Sequence, residues 1–470
     1  MRRVAVFGAG LAGLTAAVTA AEAGAEVTVF EKSAVVGGAL LLSGGLIWSV
    51  ADLDAAQAAA PEGNPLLQQL VVERLAADRS WLAGLGVRFT TPAASPELAH
   101  GGWSAVTGEP GIEGLGQQVE PSQAVDALRR RLDELGGTLR LECGLDSLRT
   151  AKGRVVGARV ATAAGELFDL DADVVVLATG GFQGNPELLD RYVAPAAHLY
   201  LRTHGWSTGD GLLAATAAGA AVSGGMDTFY GHAMIAPPGR FRPRDFGEVT
   251  QGYGQGAVAL DLTGRRFTDE SAGTGEEQLC QRLARRPEGR GFYLLDQGIA
   301  GLARTPGKAV TGVVLDRARS YGGSVLVADS IAALTDALAA VGVPAAATRQ
   351  TLAEYDRLCA GQPAAPGSPG RSRFRFPLRQ PPFYAVAVKA SITMTLGGLL
   401  VDDELRVLRR AASSSPIAQS VTELADIRQV PIGGLLAAGA DVGDISRGGY
   451  LGGLATALTT GRVAGLGCAG

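Results

Sequence analysis

The first thirty residues alternate between apolar runs and glycines in an order that predicts strand, turn, helix and strand. VAVF at 4–7 has the length and composition of a short strand, and the alanine-rich stretch LAGLTAAVTAA after it favours a helix. The apolar run VTVF at 27–30 supplies a second strand. Such a unit is typical of an α/β fold of the Rossmann type.

Later stretches continue both periodicities. Residues 122–137 place Ala124, Leu128, Leu132 and Leu135 near one face of an amphipathic helix. The segments TLRLECGLDSL and GRVVGARVATAAGELFDL then alternate as a small antiparallel meander. Two further apolar strands run into glycines, one in DADVVVLATGGFQGN and one in GGLLAAGADVGD near the C-terminus. The sequence therefore predicts one nucleotide-binding domain built from both chain ends, with a second domain inserted between them.

The turn after the first strand carries the pattern G-x-G-x-x-G at Gly8, Gly10 and Gly13. Gly8 permits the tight turn, Gly10 lets the backbone approach a pyrophosphate, and Gly13 lets helix and strand pack closely. The helix N-terminus offers free N–H groups and a partial positive charge to the phosphates. Glu31 ends the second strand 18 residues after Gly13, where its carboxylate can accept bonds from a ribose diol. Because that carboxylate would repel a 2′-phosphate, the ribose is expected to be that of NAD or FAD.

Composition narrows the classes of function. The 470 residues suit two domains, and 47% apolar with 19% charged residues allow a large core. The net charge is −4 and the sequence has no long Lys/Arg run, so it shows no sign of a basic surface that would bind nucleic acid. The four cysteines form no C-x-x-C pair, and the four histidines form no pair at helical spacing. These counts argue against a disulfide framework, an iron–sulfur cluster and a protein-bound catalytic metal.

The N-terminus imitates an export signal or a short membrane span, because Arg2 and Arg3 precede a long apolar run. Charge returns at Glu22, however, and the glycine motif interrupts the run. A strand, a glycine turn and an alanine-rich helix account for the same residues. We therefore expect a cytoplasmic protein without a membrane span.

Several motifs, taken together, resemble one known family. They are the fingerprint with Glu31-Lys32, Gly37-Gly38, Ser43-Gly44-Gly45, VVVLATGGF at 174–182, STGDG at 207–211, GRRFTDE at 264–270, PPFYAVAV at 381–388, TLGGLLVD at 395–402, LLAAGAD at 435–441 and YLGGLATALTTGRVAG at 450–465. In this order they resemble the flavoproteins grouped with fumarate reductase, succinate dehydrogenase and 3-ketosteroid dehydrogenases. The resemblance implies FAD, and it implies noncovalent binding because no His-Thr pair stands near 39–45.

The resemblance also implies an α/β architecture. A Rossmann-like FAD-binding domain of the glutathione-reductase type would comprise 1–225 and 385–470, with an inserted α+β capping domain at 226–384. The residues expected to bind FAD are Gly8, Ala9, Gly10, Leu11, Ala12, Gly13, Glu31, Lys32, Ser33, Gly37, Gly38, Ser43, Gly44, Gly45, Leu145, Ala178, Thr179, Gly180, Asp210, Gly439, Asp441, Gly453 and Leu454. Asp441 takes the place of the family acid that binds ribityl hydroxyls, and Gly453 and Leu454 should donate N–H groups to the flavin pyrimidine edge.

Three positions depart from the dicarboxylate enzymes of that family. The family pattern His-Thr-x-Gly-Gly begins with Met394 here, the arginine directly before Leu-Gly-Gly is Tyr450, and the arginine three residues after Glu270 is Gly273. A dicarboxylate site needs cationic anchors and a proton donor, and a tyrosine does not replace a bidentate arginine. We therefore expect a larger, more neutral or carbonyl-bearing small-molecule substrate.

Tyrosines are the candidate proton-transfer groups. The steroid-dehydrogenase branch, which resembles SGGLIW at 43–48, uses tyrosines as proton acceptor and as donor to a ketone oxygen. Tyr450 is the best-placed candidate here, while His232, Tyr230 and Tyr253 lie in segments that lead into the predicted cap. The main hypothesis is an FAD-dependent oxidoreductase that introduces or reduces a C–C double bond next to a carbonyl, with hydride passing between substrate carbon and flavin N5. The substrate would be steroid-like, a cyclic ketone or a secondary metabolite, with the electron acceptor and oligomeric state left open.

Other interpretations stay open at this point. A dicarboxylate dehydrogenase or reductase is one, and a flavin monooxygenase or oxidase is another, since GADVGD at 439–444 echoes the Gly-Asp turn of flavin hydroxylases. A third is a flavin-binding protein that has lost its catalytic residues. The stretch 361–382 is either a disordered linker or an extended return from the cap, with Arg373 and Arg375 over the cleft.

Overall fold

The computed structural model describes residues 1–90, 117–193, 198–272, 276–302, 304–305, 308–309, 313–410 and 429–468. Gly273, one of the three departures from the dicarboxylate enzymes, lies outside the described residues. The strands are β1 Arg3–Phe7, β2 Glu26–Phe30, β3 Leu46–Ile47, β4 Phe89–Thr90, β5 Gln117–Val119, β6 Thr138–Arg140, β7 Cys143–Ala151, β8 Arg154–Thr162, β9 Leu167–Asp171, β10 Val174–Leu177, β11 Tyr200–Leu201, β12 Phe229–Tyr230, β13 Ala233–Ile235, β14 Val258–Asp261, β15 Arg290–Asp296, β16 Arg304–Thr305, β17 Lys308–Ala309, β18 Val325–Ala328, β19 Phe383–Ile392, β20 Met394–Thr395, β21 Arg406–Arg410 and β22 Gln429–Ala437. The α-helices are α1 Leu11–Glu22, α2 Leu53–Ala59, α3 Pro65–Gly84, α4 Pro121–Glu134, α5 Pro186–Val193, α6 Asp210–Ala217, α7 Phe246–Val249, α8 Glu276–Ala284, α9 Gln297–Leu302, α10 Val314–Ser320, α11 Ile331–Ala340, α12 Ala345–Cys359 and α13 Gly453–Gly467.

A six-stranded sheet runs in the order β21, β22, β10, β1, β2, β6. Its strands are parallel except for the edge strand β21, which pairs antiparallel with β22. The central strands β1 and β10 are almost wholly buried, and their sequences VAVF and VVVL are accordingly apolar throughout. The sheet joins strands from both ends of the chain, as the apolar runs predict.

Helix α1 lies between this sheet and α13 and is buried along its length except at its last residue. Glycines in α13 bring the two helices close together. A Cβ on Gly461 would stand 2.5 Å from the carbonyl oxygen of Ala12, and one on Gly465 would stand 2.6 Å from that of Ala16. Small residues on both helices therefore fix the position of α1, and with it the glycine turn at its start.

The middle of the chain confirms two predicted elements. Helix α4 buries the predicted apolar face at Ala124, Leu128 and Leu132. It ends before residue 137 because Gly136 has a φ of +77°, a conformation that terminates helices. Strands β7, β8 and β9 form the predicted antiparallel meander.

A second sheet is centred on β19. This strand pairs with β11, β13, β15 and β18, and β14 pairs with β15. Because β19 runs from Phe383 to Ile392, the predicted boundary at 384/385 falls inside a strand of this sheet. The ranges of the two domains stay a prediction. Strand β20 follows one residue after β19, so the second sheet leads directly to Met394.

The stretch 361–382 is held in place by Arg371, which is 1% exposed. Its guanidinium donates to the carbonyl oxygens of Ala257 and Gln255 and forms an ion pair with Glu270 at 2.8 Å. The linker interpretation is therefore wrong: a buried cation ties this return segment to the inserted region.

The same ion pair accounts for Glu270, the acid of the GRRFTDE motif that precedes Gly273 by three residues. Its carboxylate is 1% exposed and also pairs with Arg266 at 2.6 Å, so it serves packing rather than the cavity described below. The expectation that Arg373 and Arg375 lie over the cleft is also wrong. They donate to the carbonyl oxygens of Ser271 and Arg371, and neither lines the cavity.

No helix among the described residues is both long and apolar enough to cross a membrane. Within the same ranges, no group of three or more His, Cys, Asp or Glu side chains is placed to hold a metal ion. The four cysteines are free thiols.

Candidate functional site

A cavity of about 740 Å³ lies at the carboxyl ends of β1, β2 and β10. Folds with this kind of sheet bind nucleotides along that edge, and the volume is in the range of small-molecule sites. The predicted cofactor contacts that line it are Gly8, Gly10, Leu11, Ala12, Glu31, Lys32, Ser33, Gly38, Ser43, Gly44, Leu145, Ala178, Thr179, Gly180, Asp210, Gly439, Gly453 and Leu454. The predicted contacts that do not line it are Ala9, Gly13, Gly37, Gly45 and Asp441.

The glycine turn has two tightly packed positions and one open position. Gly8 has a φ of +102°, and a Cβ there would stand 2.1 Å from the carbonyl oxygen of Ala178. A Cβ on Gly13 would stand 1.8 Å from the carbonyl oxygen of Gly8. A Cβ on Gly10 would meet no atom within 4 Å, so this residue leaves space at the cavity wall. The first N–H groups of α1 have no acceptor inside the helix and can serve a phosphate there.

Glu31 is fixed at the end of β2 by two backbone hydrogen bonds. Its Oε2 accepts the N–H of Ala9 and its Oε1 accepts the N–H of Ser33, each at 2.8 Å. The side chain is 9% exposed and lines the cavity. Each carboxylate oxygen has a second lone pair, so the group can still accept bonds from a diol. Ala9 therefore acts through Glu31, although it does not line the cavity itself.

Asp441 lies behind the cavity wall and holds part of it. It is 2% exposed and accepts bonds from the backbone N–H and the hydroxyl of Thr179. Burial raises the pKa of Asp441 to about 6. The predicted contact with ribityl hydroxyls stays a prediction, because Thr179 and not Asp441 lines the cavity here.

A second acidic group, Asp210, faces the cavity at the start of α6. It forms an ion pair with Lys32 at 2.7 Å and accepts a hydrogen bond from the hydroxyl of Thr208 at 2.6 Å. These contacts leave a polar but charge-balanced wall.

An open glycine loop at a helix N-terminus, a fixed carboxylate for a ribose and a polar wall at Asp210 all fit FAD. Its noncovalent attachment stays a prediction.

Another part of the cavity wall is aromatic. The rings of Tyr230 and Tyr450 are stacked, with centroids 3.8 Å apart and planes 11° apart. Trp48 meets Tyr450 edge-on at 5.7 Å. Met394 packs against the first turn of α13, since its Sδ stands 2.7 Å from where a Cβ on Gly453 would be. The position of the family histidine is therefore an apolar surface beside two phenols.

The two phenols have different hydrogen-bond partners. The Tyr230 hydroxyl lies 2.8 Å from Nε2 of His232, a half-buried residue that does not itself line the cavity. The Tyr450 hydroxyl accepts the N–H of Gly453 at 2.7 Å. Burial raises the pKa of Tyr230 to about 12 and lifts the pKa of Tyr450 well above its ordinary value. Both phenols are therefore neutral hydrogen-bond donors at pH 7.

Strand pairing explains why these residues meet. Tyr230 lies opposite Met394 in the ladder between β12 and β20. Tyr230 and His232 are two residues apart, a spacing that places side chains on one face of an extended segment. The two-residue spacing of Tyr230 and His232 is visible in the sequence. The stacking of Tyr230 on Tyr450 joins residues more than 200 positions apart, so the sequence could not predict it.

Arg202 lines the same cavity and was not foreseen from the sequence. Its Nε donates to the hydroxyl of Thr250 at 3.3 Å and its Nη1 to that of Thr393 at 3.2 Å. Its backbone N–H donates to the carbonyl oxygen of Ile392 at 2.8 Å, which places it beside the strand that leads to Met394. The only hint of Arg202 in the sequence is that the segment 191–209, which contains it, has no acidic residue that could pair with it locally.

Tyr253 lies outside the cavity, and we assign it no role in the reaction. It is 4% exposed, and its hydroxyl donates to Oε1 of Gln251 at 2.9 Å. Its ring meets the edge of Tyr293 at 6.0 Å. The residue belongs to the packing of the inserted region.

Comparison with known proteins agrees with this geometry. The family model described as FAD binding domain matches residues 3–455. A probable fumarate reductase from Shewanella frigidimarina is 26% identical, covering 98% of this chain and 74% of the relative. The 4-oxocyclohexanecarboxylate 2-dehydrogenase of Sinomonas cyclohexanicum is also 26% identical, covering 96% of this chain and 92% of the relative. The solved structure of a 3-ketosteroid-Δ4-(5α)-dehydrogenase from Rhodococcus jostii RHA1 is similar with a TM-score of 0.72, at 21% identity and covering 100% of this chain and 97% of that one.

These matches confirm the α/β FAD-binding fold with a capping domain, FAD as the cofactor and the resemblance to fumarate reductase and 3-ketosteroid dehydrogenase flavoproteins. They cover the glycine turn, the aromatic wall and the inserted region in one alignment. The chain belongs to the FAD-binding-domain family and is an FAD-dependent oxidoreductase.

Proposed function

We propose that the protein introduces or removes a C–C double bond next to a carbonyl group. The observation that carries this proposal is the pair of stacked, neutral phenols, Tyr230 and Tyr450, in the wall of the cofactor cavity. Neutral phenols donate hydrogen bonds to a carbonyl oxygen and deliver or receive one proton. Met394 and Tyr450 stand where a dicarboxylate enzyme has a histidine and an arginine, so the wall suits a neutral carbonyl better than two carboxylates.

Tyr450 polarises the carbonyl in this proposal. Its oxygen already accepts the N–H of Gly453, so its own proton is directed elsewhere and can bond the substrate oxygen. Trp48 and Met394 supply an apolar surface beside it. When bound, FAD supplies the acceptance or donation of the hydride at the carbon two bonds from the carbonyl. The chain holds the substrate ring in a fixed orientation and keeps water away from it.

Tyr230 and His232 handle the accompanying proton. The phenol lines the cavity, while the imidazole bonded to it at 2.8 Å lies behind the wall. A proton taken from or given to the carbon next to the carbonyl can pass through the Tyr230 hydroxyl while the imidazole exchanges it on the far side. In this proposal the phenol of Tyr230 and the imidazole of His232 carry out the proton transfer for which a dicarboxylate enzyme uses arginine and histidine.

The names of the relatives support the class of reaction. One is a dehydrogenase of 4-oxocyclohexanecarboxylate, a cyclic ketone, and the other is a probable fumarate reductase. Both names describe chemistry at a C–C bond next to a carbonyl or carboxyl group. A dicarboxylate substrate is the second candidate, because Arg202 at the cavity can bind one of its two carboxylates.

Phenylalanine variants test the proposal in the FAD-loaded protein. After photoreduction without oxygen, flavin reoxidation by 2-cyclohexenone is followed by absorbance. Removing the hydroxyl should slow reoxidation by roughly 10²-fold or more while FAD stays bound, because Tyr450→Phe loses the hydrogen bond to the carbonyl and Tyr230→Phe loses the proton transfer. Tyr253→Phe, which removes a buried phenol outside the cavity, is the matched control and should change the rate by less than about twofold. Unchanged rates in both cavity variants would refute the assigned roles.

A further inference from the structure

Arg202 places a cation in the wall of the substrate region and forms no ion pair with a carboxylate of the described residues. The ionisable groups that act on its charge are Tyr230, Cys280 and Tyr450. The buried carboxylate of Glu277 acts on the same three groups, but none of the ion pairs of the described residues joins it to Arg202. Burial raises the pKa of all three groups, so each is neutral at pH 7. The guanidinium keeps its charge at that pH. A half-buried cation whose side-chain hydrogen-bond partners are neutral hydroxyls is costly and marks a place where an anion is expected to bind.

The hydrogen bonds of Arg202 leave one edge of the guanidinium available. Nε and Nη1 donate to the hydroxyls of Thr250 and Thr393, at 3.3 and 3.2 Å. These neutral acceptors orient the planar group without neutralising it. The structure records no bond from Nη2 among the described residues. An arginine held in this way presents the donors that a carboxylate binds in pairs.

The position of Arg202 separates it from the pyrophosphate site. The groups that act on His204, two residues further on, are Glu31 and Lys32, which belong to the nucleotide end of the cavity. Arg202 instead acts on Tyr230 and Tyr450. Its charge therefore belongs with the phenols, where the reacting part of the substrate lies in the proposed function.

We propose that Arg202 binds a carboxylate of the substrate, so that the substrate is a keto acid whose ketone lies against Tyr450 and whose carboxylate lies against Arg202. This inference rests on the proposed function, because it uses the carbonyl position given by Tyr450. It adds a substrate class: a ring or chain with one neutral carbonyl and one anionic group. Arg202 supplies one half-buried cation beside the phenols, which matches one carboxylate and leaves the other end of the substrate neutral.

The test uses a pair of non-reacting ligands of nearly equal shape. 4-Hydroxybenzoate carries a carboxylate, and 4-hydroxybenzamide carries a neutral amide in its place. Their binding to the FAD-loaded protein is measured from the perturbation of the flavin absorbance, without turnover. The wild-type protein should bind the benzoate at least tenfold more tightly than the benzamide. Absence of that preference would overturn the inference.

Arg202→Met keeps much of the side-chain length and removes the charge. It should weaken benzoate binding roughly ten- to a hundredfold, the range expected for charge-assisted bonds, and should change benzamide binding by less than about threefold. Arg202→Lys keeps the charge but not the planar guanidinium, so it should lose part of the preference for the benzoate over the benzamide. This variant replaces Arg202→Met in the test if the methionine variant does not fold. Arg244→Met is the matched control, because Arg244 also lines the cavity but is 75% exposed and pairs with Asp245. It should change benzoate binding by less than about threefold.

Two further results would overturn the inference. An equal loss of benzoate and benzamide binding in Arg202→Met would make Arg202 a structural residue. A loss of FAD affinity without a change in the benzoate preference would assign its charge to the cofactor. Failure of the proposed function is distinguishable, because it would appear as absent reoxidation by an enone while the benzoate preference and its dependence on Arg202 persist.

Discussion

Gly8, Gly10 and Gly13 belong to one motif but meet different surroundings. A Cβ on Gly8 or Gly13 would overlap a carbonyl oxygen, whereas a Cβ on Gly10 would point into open space at the cavity. The first two glycines are therefore required by the packing of α1 against the sheet. Gly10 leaves room for a group that approaches the loop from the cavity, and we expect this group to be the pyrophosphate of FAD.

This difference gives a prediction for two alanine variants. Gly10→Ala should fold with an unchanged melting temperature but bind FAD at least tenfold more weakly, because its methyl group occupies space needed by the phosphates. Gly13→Ala should lose several kcal/mol of stability, since its Cβ would stand 1.8 Å from a backbone oxygen. Thermal unfolding of the apoprotein and FAD titration separate the two effects. A Gly10→Ala protein with wild-type FAD affinity would contradict the assignment of the loop.

At the scale of elements, the return segment 361–382 depends on Arg371. Removing its charge leaves Glu270 buried with one partner fewer and removes hydrogen bonds to the carbonyl oxygens of Gln255, Ala257, Arg373 and Phe374. Arg371→Met should therefore lower the free energy of unfolding by about 3 kcal/mol or more. Arg375→Met removes an exposed arginine that donates one bond in the same segment and should lower it by about 1 kcal/mol. Urea unfolding measures both, and equal losses would show that the segment does not depend on the buried ion pair.

Helix α8 carries an acid that should make stability depend on pH. Glu276 is 4% exposed and accepts a hydrogen bond from the hydroxyl of Tyr293 at 2.7 Å. Burial raises the pKa of Glu276 from 4.5 to about 8. Between these values the folded protein keeps the proton that the unfolded chain has lost. The free energy of unfolding should therefore fall as pH rises through this range, by at most about 1.4 kcal/mol per pH unit from this group.

The variant Glu276→Gln tests that sign. It has no proton to lose, so its unfolding free energy should fall less steeply between pH 5 and about 8 than that of the wild type. Glu73→Gln, at an exposed position, should leave the slope unchanged. Urea unfolding at several pH values gives the slopes. Parallel curves for the wild type and Glu276→Gln would mean that the carboxyl is already ionised in the folded protein.

At the scale of the whole molecule, local signals predicted the nucleotide half of the site. The glycine turn, Glu31 and the apolar strands are encoded within short windows, because a βαβ unit folds back on itself. Most of the predicted cofactor contacts line one cavity for that reason. Asp441 lies behind that cavity because Thr179 stands in front of it.

The substrate half could not be predicted in the same way. Arg202 forms no ion pair with a carboxylate of the described residues, and its side-chain hydrogen-bond partners Thr250 and Thr393 lie 48 and 191 residues further along the chain. Glu270 belongs to a motif shared with the resembling family, yet its partner Arg371 is 101 residues away and makes it structural. Tyr253 was chosen by its segment and proves to be packed away from the cavity. Residue type and motif position do not reveal such long-range contacts.

The most direct test of a carbonyl-conjugated substrate compares two oxidants of the reduced protein. The FAD-loaded protein is photoreduced without oxygen and mixed with 4-oxocyclohex-2-enecarboxylate or with fumarate at equal concentration, and flavin absorbance is followed. The enone acid should reoxidise the flavin at least tenfold faster than fumarate, and Tyr450→Phe should abolish that advantage. Faster reoxidation by fumarate would establish the dicarboxylate alternative, and no reoxidation by either would show a flavin-binding protein without this activity.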